Sequence, residues 1–138
     1  MIASRTVRIL VVDDCSIVRQ ILALTLRNEG FDAREAEGMP EALSILAASG
    51  IDLVVADAYM PTGSGVDLAR YLSTAAQFRS IPVLVMGADD DGSLEEKARL
   101  AGAIGWIPKP LDPRAVIGAV RYALVKRREL RGTRTPST

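Results

Sequence analysis

The sequence contains no histidine and a single cysteine, Cys15. One cysteine cannot close an intrachain disulfide, and without histidine a Cys/His zinc site is excluded. No uninterrupted apolar run is long enough to span a bilayer. The opening stretch MIASRTVRILVVDD lacks the layout of a secretory signal, because two aspartates end its apolar segment after six residues. Net charge is missing as well, since 17 basic and 17 acidic residues cancel. A cytoplasmic protein is expected.

The cancellation is uneven along the chain. Residues 121–138 carry Arg121, Lys126, Arg127, Arg128, Arg131 and Arg134 against Glu129, a net of +5. The remaining 11 basic and 16 acidic groups leave residues 1–120 at −5. An acidic body with a basic end points to an appendage with a partner of its own. The division predicted is a domain over residues 1–125 and an arginine-rich helix end with a flexible tail over 126–138. At 138 residues and 49% hydrophobic content the body suits one core.

Apolar β-branched runs alternate with helical patterns. VRILVV (7–12), DAREA (32–36), DLVVAD (52–57), PVLVM (82–86) and AIGWI (103–107) are the strand candidates. The first, third and fourth are nearly continuous in Val, Ile and Leu, as parallel strands covered on both faces are. Between them Ile17, Ile21, Leu24 and Val18, Leu22, Thr25 recur at helical spacing. PEALSILAAS, GVDLARYLSTAA and SLEEKARLAG follow the same rule, the first with Pro40 suited to an initial turn and Gly50 beyond its end. In the last helix Asp112 caps, Pro113 takes the first position, and Val116, Ile117, Val120 and Leu124 line one face. Gly132 is the expected stop, with a disordered TRTPST after it. Five β-α units predict an α/β fold: a doubly wound, five-stranded parallel sheet with five flanking helices.

Ligands of such sheets bind outside the carboxyl ends of the strands. Asp13 and Asp14 follow the first strand, Asp57 ends the third, and Lys109 follows the fifth. Three carboxylates at one edge repel unless a hard cation joins them, and an all-oxygen donor set selects Mg²⁺ or Mn²⁺. Asp14 alone also suits a helix cap, since DDCS precedes a helix. The acidic site taken alone fits a metal-dependent phosphatase too. No general base accompanies it, however, and a lysine suits an aspartyl-phosphate, so no enzyme is expected.

LVVDD, VVADAYMPTGSG, PVLVMGA and GAIGWIPKP, in this order from Val7 to Val125, resemble the motif regions of CheY-like response-regulator receiver domains, a flavodoxin-like fold. The resemblance implies a stand-alone receiver in two-component phosphorelay signalling. Asp57 would then accept a phosphoryl group from a histidine kinase or phosphotransfer protein. Asp13 and Asp14 would hold Mg²⁺, directly or through water, with Asp57 and the backbone carbonyl of Tyr59. Lys109 would pair with phosphoryl oxygens, and Lys109–Pro110 is usually cis in the family. Pro61 and Gly65 match the tight loop after the phosphoacceptor. Tyr59 would crowd water approaching Asp57, or else serve as a surface aromatic at the rim. The fourth helix, fifth strand and fifth helix would dock a downstream protein, in chemotaxis a flagellar motor, with no DNA-binding domain attached.

The family pattern breaks at the end of the fourth strand. A Ser or Thr is usual there, and this chain has Gly87; the aromatic switch position is Trp106. Gly87 reads as a missing hydroxyl switch or as a turn glycine before ADDDG. Trp106 reads as a packing residue or as an indole filling the vacated space. Cys15 is expected to pack behind the metal site.

The basic end, VKRRELRGTR, holds more cations than a helix dipole needs, and arginine outnumbers lysine four to one. Guanidinium groups pair with phosphate, read the O6/N7 edge of guanine and stack on purines. The stretch resembles the arginine-rich extension of the Cle group of CheY-like flagellar-motor regulators, which bind cyclic di-GMP. That resemblance implies nucleotide binding by Arg127, Arg128, Arg131 and Arg134. A solvated end that docks a protein partner, an anionic membrane and nucleic acid are the competing partners. Duplex DNA ranks last, because the acidic body would repel it.

Overall fold

The Val-, Ile- and Leu-rich runs form the interior strands of a single parallel sheet. The computed structural model describes residues 5–88 and 92–133, with the backbone alone for residues 130–133. Strands and helices alternate as β1 (Arg8–Val12), α1 (Ser16–Asn28), β2 (Asp32–Ala36), α2 (Met39–Ala48), β3 (Leu53–Asp57), α3 (Gly65–Thr74), β4 (Val83–Gly87), α4 (Ser93–Leu100), β5 (Gly105–Pro108) and α5 (Pro113–Thr133). All neighbours pair in parallel, in the order β2-β1-β3-β4-β5. This is the doubly wound sheet expected.

The period of two along each strand divides the core into two layers. Ile9, Val11, Leu53, Val55, Leu84 and Met86 face α1 and α5, meeting Leu22, Leu26, Val116 and Val120. Leu10, Val12, Val54, Ala56 and Val85 face the other way, against Leu46, Leu68, Leu72 and Ala98 of α2, α3 and α4. Val12 pairs with Ala56, Asp57 with Met86 and Gly87 with Pro108, so four strands finish along one edge.

Several expected boundaries move. β4 includes Gly87, which is therefore a strand residue with ladder partners rather than a turn glycine. β5 begins at Gly105, not at 103. Gly102 turns the chain at a φ of 107°, and the Ala103 N–H is spent on the Ala98 carbonyl. α3 and α4 each end two residues before their predicted limits.

Asp112 caps α5 as predicted, its Oδ1 accepting the Arg114 N–H at 3.1 Å. Gly132 does not end the helix, which continues to Thr133. A glycine inside a helix costs about 1 kcal/mol relative to alanine, too little to stop a helix whose previous turns are anchored. The expected division at residue 125 therefore falls inside one continuous helix. Of the TRTPST expected to be disordered, Thr133 is the last helical residue of α5 and 134–138 lie outside the described residues; of ADDDG, 89–91 lie outside them and Gly92 turns the chain at a φ of 77°.

α1 buries Leu22, Ala23 and Leu26 but leaves Ile17, Ile21 and Leu24 exposed by 67%, 57% and 59%. One of its two apolar stripes thus faces outward.

Candidate functional site

Strand parity places the chemistry. Asp13 continues the Ile9–Val11 alternation, Asp57 continues Leu53–Val55, and Lys109 continues Ile107. Backbone bonds extend the ladder past the strand ends and hold these positions level. The Asp13 N–H donates to the Ala36 carbonyl at 3.1 Å, Ala58 N–H to Met86 at 2.8 Å and Lys109 N–H to Gly87 at 3.1 Å.

The predicted carboxylates converge. Asp13, Asp14 and Asp57 each offer an oxygen within 4.8 Å of the others. Asp13 and Asp57 are buried and Asp14 is exposed at the mouth. Lys109 Nζ donates to Asp57 Oδ2 at 3.0 Å and stands 3.5 Å from Asp13 Oδ2. Asp57 Oδ1 accepts the Tyr59 N–H at 3.1 Å. Asp14 is no helix cap: Cys15 occupies that position, and no side chain bonds the first turn of α1.

Electrostatics mark the site as incomplete on its own. Burial pushes the Asp13 carboxyl above its ordinary value; the Cys15 N–H opposes the shift, the Asp57 charge adds to it and Lys109 opposes it. Asp13 Oδ2 is buried and accepts no hydrogen bond. An orphaned buried oxygen beside two further carboxylates fits a hard divalent cation with oxygen preference. Burial alone would lower the Lys109 ammonium, but bonding to Asp57 and the charges of Asp13 and Asp57 outweigh it and raise the pKa. The lysine is a fixed cation.

Asp13→Asn keeps an acceptor for the Cys15 N–H and removes the buried charge. The metal-free variant is expected to gain about 1 kcal/mol in urea unfolding at neutral pH. Its Mg²⁺ affinity should fall by roughly tenfold or more. Because the folded carboxyl is raised, Asp13 contributes less stability as pH climbs from the ordinary carboxylate value to the folded one. The gain should therefore shrink toward pH 4; a gain independent of pH would refute a charge origin.

The surroundings hold Asp57 in place. A Cβ on Gly65 would lie 2.7 Å from the Asp57 carbonyl oxygen and 2.9 Å from that of Ala56. Both are backbone atoms, so only glycine lets α3 start against the end of β3. Ser64 caps α3 through a reciprocal box with Asp67. Pro61 lies in the loop between them and, with Tyr59, Met60 and Ser64, lines an open cavity that begins at Ala58, the residue after Asp57. Tyr59 is 65% exposed, at the rim. The Lys109–Pro110 bond is cis, as expected.

Two features escaped the sequence reading. Arg19, largely buried, donates through Nη1 to the Asp13 carbonyl at 2.8 Å and through Nε to Glu35 at 3.1 Å. It braces the β1–α1 turn from β2, and an arginine inside an apolar helix pattern was the available signal. Cys15 is exposed rather than packed behind the carboxylates, because its residue starts α1 with the side chain outside the turn.

Of the predicted tail ligands, Arg127 and Arg128 have described side chains, and their surroundings differ. Arg127, 14% exposed, donates from Nη1 to the Asp52 carbonyl at 3.1 Å and to Asp52 Oδ1 at 3.3 Å, at the opposite end of the sheet from Asp57. Arg5 pairs with the same carboxylate, whose Oδ2 accepts the Arg8 N–H at 2.8 Å. Burial pushes Asp52 up, yet the bonds from Arg5, the Arg8 N–H and Arg127 outweigh it and hold the carboxyl below its usual value. Arg128 is exposed. The Arg131 side chain and Arg134 lie outside the described residues.

The family model of the response regulator receiver domain matches residues 9–121. The chain belongs to this family. The transcriptional regulatory protein PdtaR of Mycobacterium tuberculosis is 35% identical to this receiver over 124 residues, 89% of this chain and 59% of the relative. The signal receiver domain of an HD domain-containing protein from Pseudomonas fluorescens Pf-5 superposes with a TM-score of 0.85 at 27% identity, covering 96% of each chain. Chemotaxis protein CheY4 of Vibrio cholerae shares the fold, with a TM-score of 0.82 at 24% identity over 87% of this chain and 100% of that one. The receiver spans about three fifths or less of the length of the curated relatives it matches. Two-component signalling is thus its setting, and an acidic Mg²⁺ pocket is general to such domains.

Proposed function

We propose that this receiver accepts a phosphoryl group on Asp57 from a histidine kinase or phosphotransfer protein and acts in the cytoplasm through protein contacts. The observation that carries the reading is the Asp13–Asp14–Asp57 cluster with Lys109 bonded to the Asp57 oxygen. An Asp57 oxygen lone pair forms the new P–O bond as the donor's P–N bond breaks, and the imidazole nitrogen keeps that electron pair. Lys109, already 3.0 Å from Oδ2, stays with the oxygens as charge spreads over them. Asp13, Asp14, Asp57 and the Tyr59 carbonyl would hold Mg²⁺, which neutralises phosphoryl charge when bound. Tyr59 at the rim limits water approach and hence hydrolysis. Turnover of other substrates is not expected, because the lysine beside Asp57 suits an aspartyl-phosphate; the receiver loses its own phosphate and is no enzyme otherwise.

The outward stripe of α1 supports a helical phosphodonor partner. Ile21 also lines a cleft of about 270 Å³ with Val18, Leu22, Pro110 and Leu111, which runs to Lys109. An apolar helix laid there would bring its phosphohistidine to the carboxylates. The downstream target is a protein, of the flagellar-motor kind in chemotaxis. No described helix is long and apolar enough to cross a membrane.

Incubation with a small phosphodonor and Mg²⁺ should add one phosphoryl group per chain by intact mass, labile to alkali and absent with a chelator. An adduct on a hydroxyl side chain, or none, would sink the reading.

A second reading, cyclic di-GMP binding at the basic end, is favoured by one observation: α5 continues as a helix through the arginine run, with Lys126 and Arg128 exposed. Since Arg127 is engaged by Asp52, the ligand would fall to Arg128, Arg131 and Arg134. Calorimetric titration of cyclic di-GMP should then give heat with the wild type, and none with Arg128→Ala/Arg131→Ala. No heat from the wild type at low salt leaves the end as a docking surface for protein.

A further inference from the structure

Gly87 and Trp106 meet across β4 and β5. Val85 pairs with Trp106 and Gly87 with Pro108, so the indole lies on the face that Val85 and Gly87 share. From there it reaches one strand step toward the site edge. A Cβ on Gly87 would sit 3.3 Å and 3.5 Å from Trp106 Cη2 and Cζ2, and 3.1 Å from the Ala58 methyl. Trp106, half-buried, packs with the layer of Ala58, Val85 and Ala98. The ring thus borders the place where a β4 side chain would extend, beside the residue that follows Asp57.

We propose that Gly87 and Trp106 form a lock with one state: the indole stays seated over Gly87 whether or not Asp57 carries a phosphoryl group, and the α4–β5 surface keeps one shape. The part concerning Asp57 rests on the phosphoacceptor reading above. A bound group shifts a conformational equilibrium only by contacts that differ between the two states. Gly87 offers a phosphoryl oxygen nothing but backbone, and that backbone is pinned by the β4 ladder and by the Lys109 N–H. Its position does not depend on where the indole lies. Moving the ring outward would take its contacts away from Ala58 and Gly87, and Gly87 has no side chain to replace them. Phosphorylation is then read near Asp57 itself, at the α1 side of the site, and not through the aromatic position.

Trp106 is the only tryptophan, so its fluorescence reports on the lock directly. In the metal-free protein, Gly87→Thr should push the ring out and raise acrylamide quenching about two-fold, with the far-ultraviolet dichroism of the fold kept, whereas Gly87→Ala, whose Cβ asks the ring to give only slightly, should change it little. Quenching unchanged in the folded threonine variant would overturn the seating. In the wild type, Mg²⁺ with beryllium trifluoride should move the Ala58 and Lys109 amide resonances while Trp106 emission and quenching stay fixed. Emission that follows those resonances would overturn the lock. Should the amides not move, the phosphoacceptor reading fails, and the glycine variants alone decide the seating.

Discussion

Asp57→Asn is expected to abolish phosphoryl uptake, lowering the rate by several orders of magnitude in the small-phosphodonor assay. The change is nearly isosteric, so Tyr59 N–H keeps its acceptor and the loop walled by Pro61 keeps its place. What disappears is the nucleophile: an amide oxygen lacks the charge that forms the P–O bond, and Lys109 loses the nearer of its two carboxylates. Intact mass after incubation, with circular dichroism to confirm the fold, separates lost chemistry from lost structure. Residual uptake at the wild-type rate would mean that another side chain is the acceptor. Asp13 and Asp14 are the only other described carboxylates of the cluster, and Asp13 is enclosed beside Lys109.

Asp52→Ala should destabilise the protein by about 3 kcal/mol in urea unfolding, in the range for breaking a buried ion pair from one side. Asp52 is buried and receives Arg5, the Arg8 N–H and Arg127 together. Removing it strips the carboxylate from a mostly buried guanidinium and leaves the Arg8 amide without its acceptor. Because the folded carboxyl lies below its ordinary value, its contribution is present above the unfolded carboxylate value, near 4, and disappears as pH falls below it through the folded one. Wild type and variant should therefore converge in strong acid. A cost within a few tenths of a kcal/mol at neutral pH would mean that the three contacts contribute nothing net. Arg127→Met should lose less, since it removes the cation together with its need for a partner.

The strands and the acidic edge were legible because two simple signals coincided. Unbroken β-branched runs place β1, β3 and β4 in the interior, and aspartates that terminate such runs have only the sheet edge to occupy. Periodicity reports that α1 has apolar faces, not which of them the sheet covers. Ile17, Ile21 and Leu24 therefore looked equivalent to the stripe of Leu22. The arginine run was equally ambiguous. Composition counted Arg127 with its neighbours, whereas its position on the helix turns it toward Asp52, which is distant in sequence. Arg19 escaped for the same reason, since its partners are a carbonyl and a glutamate brought together only by pairing of β1 with β2. Gly132 misled because a helix stop depends on what tethers the preceding turns. At Gly87 the composition showed a lost hydroxyl, and the packing shows what borders its place.

Asp52 and Asp57 bracket one strand, five residues apart and therefore about 16 Å from end to end. The two poles of the molecule are kept apart by distance and by the solvent around each end, and β3 carries only apolar residues, Leu53 to Ala56, between them. Substitutions at one pole should add to those at the other without cross-talk, as separated sites do. Such a molecule can exchange its basic pole for another while the acidic pole runs the same reaction, so that changing its audience leaves its chemistry untouched.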